Sequence, residues 1–579
     1  MSRTRSAAAT LDRRTFLAAT GVAGAAAGAG LTLGLSGGQA TAVPTRPTGP
    51  APFAPQPVAA PAVPPVPFRR GTTLDSVATP RGTTGYRRLG DGPAWSRVVR
   101  TELAAARSGR DERRTTLASF AQFTDLHLVD VQSPLRYEYL RAQTASAWRP
   151  QEALSVAGMV SLIERVNALK GGPATGSPLG FVMTTGDNTD NNSKIELEWF
   201  LGAMSGGRIV PNTGDPRHYE GVQDSGLKLY WQPGSDLRDA DKQLGFPRLP
   251  GFLDAALRTV HSPGLDIPWY TTVGNHDQLP GGCYAPGDSY WTEVATGGRK
   301  LETLPADQAK RVWTAVKKGL DPTGADFKAL MQANRRHTRQ VTPDPRRAPF
   351  TRAEYVRAHL DPAHTGAGPH GHGFTDANLH DDRLYYTFPV SDDVIGISLD
   401  TTDPGGHYTG SVGTAQLRWL ERQLKEHKDS YVLVFSHHTS KTMDNTRPDP
   451  ARPDEGRHGG EELVRLLSGH RNVLAWINGH SHKNDITPHD GFWEVSTASH
   501  IDFPQLARVI EVVDNHDGTL SLFTTLVESA APHRTDFHDL SQTGLSALYR
   551  ELSFNAPQAR TDLAGQPGDR NTELLVKRG

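Results

Sequence analysis

Five short polar clusters occur in order along this chain, and each offers side chains that bind metal ions. They are Thr124-Asp125-Leu126-His127, Gly186-Asp187-Asn188-Thr189-Asp190, Gly274-Asn275-His276-Asp277, Ser436-His437-His438 and Gly479-His480-Ser481-His482. Four of them follow apolar, β-rich runs at 120–123, 181–185, 431–435 and 473–477; the third follows the mixed run 269–273. The pattern predicts ligands where strands end and loops begin, the edge at which open α/β sheets build their sites. A fold that satisfies it must bring five strand ends, scattered from Thr124 to His482, to one place.

Between the clusters the period changes. In residues 151–169 the apolar positions Leu154, Ala157, Leu162, Val166 and Leu169 lie on one face of a helix. Residues 414–427 repeat this with Leu417, Leu420 and Leu424, while Glu421 and Lys425 pair four apart on the other face. Residues 461–467 supply another helix before the 473 run. Strand and helix alternate, which predicts an α/β sandwich. Residues 493–497, 508–513 and 520–527 read as closing strands, the last two joined by a hairpin turn at His516-Asp517-Gly518. Two stretches, 191–265 and 282–383, are rich in Gly, Pro, Asp and Arg and read as long insertions beside the second and third clusters, placed to shape the rim of a site. Trp231, Trp291 and Trp313 within them are expected to form local cores. His359, His364, His370 and His372 are expected on a solvated loop, and Asp400 at a turn.

Composition narrows the chemistry. A single cysteine, Cys283, excludes an intramolecular disulfide and every thiolate-rich metal site, so a metal must be held by histidine, carboxylate and amide. With 62 Lys+Arg against 63 Asp+Glu there is no strong field to attract nucleic acid or anionic membrane, and no specific nucleic-acid partner is expected. Residues 1–42 carry Arg13-Arg14-Thr15-Phe16-Leu17, an Ala/Gly-rich stretch and Ala40-Thr41-Ala42. They resemble a twin-arginine export signal cleaved after Ala42, which makes the export machinery an expected partner and an extracellular, cell-wall or periplasmic location the expected address. No later apolar run approaches the roughly 20 residues of a membrane span, so none is expected in the mature chain. Residues 43–68 read as a Pro/Ala-rich tether, 69–116 as an arginine-rich wrapping segment, 117–530 as the catalytic domain and 531–579 as a C-terminal extension. Without coiled-coil heptads a monomer is expected.

Aspartate and histidine two apart at a strand end can grip one metal, and a second aspartate can bridge to another because a carboxylate has two oxygens. Asp125, His127 and Asp187 fit those roles, and an asparagine oxygen with further histidines completes a nitrogen and oxygen shell suited to Fe, Mn, Zn or Co rather than Ca. Two ions roughly 3.5–4 Å apart would activate a water and clamp a phosphoryl centre, so phosphate-ester hydrolysis is the natural use.

The ordered set D-x-H, GD-x-x-D, GNHD, a histidine doublet and GH-x-H resembles the calcineurin-like metallophosphoesterase superfamily over residues 117–527. Residues 184–192 and the doublet look most similar to its cyclic-nucleotide and glycerophosphodiester phosphodiesterase branch, and the export signal with long insertions resembles exported bacterial members. The resemblance implies a four-layer αββα sandwich with two mixed β-sheets. It implies two divalent or trivalent ions (Fe, Mn or Zn), one on Asp125, His127, Asp187 and His482 and the other on Asp187, Asn275, His437 and His480, with His438 at the rim. A bridging hydroxide would attack the ester while His276, its imidazole held by Asp190, assists the leaving group; Asp277 would be structural support. Implied substrates are small-molecule or phospholipid-derived phosphate esters, diesters slightly preferred. A broad phosphomonoesterase and a non-catalytic phosphate-ligand module are the alternatives. Purple acid phosphatases carry tyrosine at the position of Asp190 and glycine at that of His127, so an iron–tyrosinate centre is not implied.

Overall fold

Two mixed sheets form the body of the protein, as expected. The computed structural model describes residues 66–557 and 559–578; the export signal and residues 43–65 of the tether lie outside them. The first sheet runs Val98–Arg100, Thr572–Lys577, Thr519–Glu528, Leu506–Asp514, Thr115–Phe123, Val182–Thr185 and Trp269–Thr272. Its last three strands are mutually parallel. The second runs Tyr386–Pro389, Val394–Ser398, Tyr431–Phe435, Val473–Asn478, Trp493–Ser496 and Asp485–Pro488, with four parallel strands between two antiparallel edges.

These strands read as near-continuous apolar runs because both faces are covered. Phe120 and Phe123 of the first sheet meet Leu433 and Phe435 of the second in one core, with the Phe120 and Phe435 rings 5.8 Å apart. Val432, Val434 and Trp476 turn the other way, onto Leu420, Leu424, Leu463 and Leu467 of the helices Thr414–Glu426 and Gly460–Ser468. The first sheet carries the helix Ser155–Ala168, whose expected stripe Leu154, Ala157, Leu162 and Val166 is buried.

The same helix is buried on its other side by Gln542–Asn555, within the segment expected to be an extension beyond 530. The fold does not end at 530. Thr572–Lys577 pairs with Thr519–Glu528, which would otherwise present a bare edge, and Val98–Arg100 pairs with Thr572–Lys577 in turn. Among the described residues no helix is long and apolar enough to cross a membrane.

The insertions are more ordered than their composition suggests. The first opens with a helix, Lys194–Ser205, and both Phe200 and Trp231 are buried in the main core. The second builds a satellite core in which Tyr284, Trp291, Val312, Phe327 and Leu330 pack with Leu135, Tyr139 and Leu140. His359 and His372 are fully buried rather than solvated. His372 stacks on Trp269, its ring nitrogens meeting the carbonyls of Trp269 and His364, so the apolar strand end recruits the imidazole as a flat core group. Burial lowers the pKa of both histidines, His359 to about 3 and His372 to about 4.

Gly158 sits where the two helices touch, and a Cβ there would stand 2.3 Å from the Tyr549 ring. Helix propensity favours Gly158→Ala by about 1 kcal/mol, but overpacking against a buried ring costs about 1–3 kcal/mol. The expected outcome is net destabilisation in urea unfolding, relieved in the Gly158→Ala/Tyr549→Leu double variant.

Candidate metal centre

The five clusters do converge. Each stands at the C-terminal end of a parallel strand, three from the first sheet and two from the second, and backbone bonds tie the loops together. Asp125 N donates to Gly186 O, His127 N to Asp187 O and Gly479 N to His437 O. The glycines in the motifs keep this junction tight: a Cβ on Gly274 would lie 2.2 Å from Asp187 Oδ1, and one on Gly479 would lie 2.5 Å from Asp125 Oδ2. Asp125, His127, Asp187, His480 and His482 all adopt positive φ, between 43° and 61°. Left-handed backbone at non-glycine residues costs on the order of 1 kcal/mol or more each and concentrates at functional sites.

Two groups of donors share one carboxylate oxygen. His482 Nε2 lies 3.3 Å from Asp125 Oδ1 and 3.3 Å from His127 Nε2. His437 Nε2 lies 3.1 Å from Asn275 Oδ1 and 3.1 Å from His480 Nδ1. Asp187 Oδ2 faces both groups, 3.6 Å from His127 Nε2 and 3.1 Å from His437 Nε2. Its other oxygen accepts from His276 N at 2.8 Å. Asp125 behaves alike: Oδ2 accepts from Thr124 Oγ1 and His480 N, while Oδ1, fully buried, has no hydrogen-bond partner. A buried carboxylate oxygen left unpaired is costly unless a cation answers it.

The outer ring nitrogens explain which lone pairs point inward. His437 Nδ1 donates to Thr185 O, because a carbonyl can only accept. His127 Nδ1 meets Asp190 Oδ1 at 3.0 Å and His482 Nδ1 meets Asp502 Oδ2 at 2.6 Å. With their protons directed outward, the Nε2 lone pairs converge, the arrangement in which imidazoles hold metal. The donor set and the orphaned oxygen therefore fit a pair of cations. Burial alone lowers the pKa of His437 and His482, but Asp187 beside the first and Asp125 beside the second outweigh it and hold both at about 9. The carboxylates thus favour positive charge at this site.

A closed ring of charge supports the histidines. Asp190 binds Arg136, Asp502 is gripped at both oxygens by Arg149, and both arginines reach Glu152. The path runs His127, Asp190, Arg136, Glu152, Arg149, Asp502, His482. Arg136 and His127 hold the Asp190 carboxyl below its usual range against the effect of burial, and Arg149 and His482 do the same for Asp502.

One expected contact differs. Asp190 holds the His276 imidazole by its backbone carbonyl, 2.6 Å from Nδ1, and not by its carboxylate, which serves His127 and Arg136. The reason is local: Asp190 N bonds to Leu128 O, which aligns the loop with the first cluster and turns the side chain that way. Asp277 accepts from the backbone N–H of Thr189, Gly274 and Asn188. His438 spends both ring nitrogens on Thr401 Oγ1 and Tyr408 O, although it lies close enough to His437 and His480 to cluster with them. Asp400 bonds to Gln278 and Arg352. Arg136, Arg149, Glu152 and Asp502 have no counterpart in the sequence reading. Asp502 follows the Trp493–Ser496 strand, so the strand-end rule that found the five clusters also points to it.

No family model matches the chain. A stretch of 112 residues, 19% of this chain, is 33% identical to the probable glycerophosphodiester phosphodiesterase GpdQ of Arcobacter nitrofigilis, and it spans 38% of that protein's length. Over that stretch the resemblance to metallophosphoesterases has a counterpart in a curated relative. Among solved structures, a dimetal phosphatase from Danio rerio superposes with a TM-score of 0.35 at 12% identity, covering 72% of this chain and 100% of that one. The calcineurin-like phosphoesterase YfkN from Bacillus subtilis gives 0.27 at 10% identity, covering 76% and 99%. Global agreement at that level is low.

Asp502→Asn keeps the shape of the ring but removes the charge behind His482. Affinity for one ion is expected to fall about 10- to 100-fold, with the other unchanged and the far-UV spectrum intact, as read by metal titration of the chelated protein.

Proposed function

We propose that the chain is an exported, dinuclear metal-dependent phosphoesterase that prefers phosphodiesters. The observation that carries this reading is the shared Asp187 Oδ2, facing two donor groups on the floor of a cavity of about 550 Å3. Asp125, His127, Asp187 and His482 would hold one ion and Asp187, Asn275, His437 and His480 the other, with Fe, Mn and Zn all suited to the donors. When bound, such a pair supplies Lewis-acid polarisation of phosphoryl oxygens and a nucleophile at neutral pH.

The chain's own residues do the remaining work. Asn275 Nδ2 donates to Gly282 O, which fixes Oδ1 inward. His276 lines the cavity, and its Nδ1–H is committed to Asp190 O, so Nε2 is the atom that takes up and releases a proton. Protonated there, it donates to the departing ester oxygen. Preference for diesters is supported by the name of the Arcobacter relative and by cavity space beyond one phosphoryl group. Export rests on Arg13-Arg14 and the small-residue site ending at Ala42.

The test is hydrolysis of bis(p-nitrophenyl) phosphate and p-nitrophenyl phosphate by the chain from Val43, chelated and then restored with Mn or Zn. Metal-dependent turnover with higher kcat/KM for the diester is expected; faster monoester turnover would overturn the diester preference. His276→Ala should retain its metal and lose about 10²- to 10⁴-fold in kcat on an alkyl ester. The loss should be smaller with nitrophenolate, which leaves without help from an acid.

A further inference from the structure

Two of the three insertion tryptophans are core residues, as expected: Trp231 and Trp291 are fully buried. Trp313 is not. It lies on the helix Ala306–Lys317, whose Ala309 and Val312 face the satellite core, and it packs in none of the three hydrophobic cores. Among the described residues it has no aromatic partner and its indole N–H makes no hydrogen bond. Its partly exposed ring instead lines the cavity that donor residues also line, as does Val316 one turn away. Tyr408 lines that cavity too, and its ring lies 6.4 Å from His480, nearly parallel to it. Trp313, Tyr408, Leu140 and Phe503 thus give apolar and aromatic wall to the cavity that the donors also line.

A bare phosphate or a glycerol arm has no use for such a surface. A tryptophan left partly exposed in a cavity is well suited to stacking on a planar group. We propose that Trp313 is a specificity-determining residue that receives a flat aromatic arm of the substrate, making the substrate class an ester of phosphate with an aryl or heteroaromatic substituent. This rests on the phosphoester reading above and goes beyond it by naming the arm. The chemistry asks only for a ring beside the phosphoryl group. The satellite core explains how Trp313 is held in place: Val312 and Val316 pack on Tyr284, Phe327 and their neighbours.

The experiment is calorimetric titration of the metal-loaded protein with phenylphosphonate and methylphosphonate, which share the anionic head and differ only in the arm. The wild-type protein should bind the phenyl compound at least about tenfold more tightly. Trp313→Ala should reduce that ratio to within about twofold and leave methylphosphonate affinity and metal content unchanged, and Trp313→Phe should keep most of it. Equal binding of the two phosphonates by the wild type, or a ratio that survives Trp313→Ala, would overturn the aromatic subsite while leaving the phosphoester reading standing. Failure of a chain loaded with two ions to bind either phosphonate would overturn both.

Discussion

Asp125 and Asp187 are buried carboxylates at the joint between two sheets, and the rest of the site answers the cost of keeping them there. An isolated buried carboxylate is prohibitively expensive, so such groups are paired, hydrogen-bonded or bound to metal. Each of these two spends one oxygen on backbone N–H or hydroxyl donors and turns the other toward the imidazoles. The division of labour suits them to metal ligation rather than to structural ion pairing. It also explains the glycines: Gly274 and Gly479 bring backbone so close to the carboxylates that no side chain fits.

Support reaches far beyond the five clusters. Tyr549 Oη and Ser553 Oγ, on the helix Gln542–Asn555, donate to His500 O and Ile501 O. That loop carries Asp502, which orients His482. A helix near the C-terminus thereby sets the angle of the His482 imidazole, and the strand Thr572–Lys577 that follows pairs into the sheet bearing Asp125 and Asp187. Cooperative packing of this kind places the histidines without requiring the ligand loops themselves to be rigid. The Glu152 ring adds a second constraint, because moving either arginine disturbs both His127 and His482.

The strands and the convergence of the polar clusters are legible from sequence because each motif is local: an apolar run sets the strand and the next few polar residues fall at its end. The alternation of periods points to an α/β sandwich, and the two mixed sheets are what the family resemblance implies. What could not be read were partners supplied by distant chain. Whether the carboxylate or the carbonyl of Asp190 meets His276 depends on the path of a loop that Leu128 directs. Arg136, Arg149 and Glu152 look like ordinary polar residues until the fold brings them together. Glycine and proline around His359 and His372 suggested a solvated loop, yet stacking on Trp269 buries the imidazole. The tail after 530 has no motif, and only the unpaired edge of Thr519–Glu528 demands it.

The central claim is that one carboxylate serves two ions. Native mass spectrometry of the purified chain, wild type and Asp187→Ala, measures this directly. Two ions per wild-type chain and loss of both in the variant are predicted, because Asp187 Oδ2 faces both donor groups. A variant that kept one ion at full occupancy, or a wild-type chain that held only one, would contradict it.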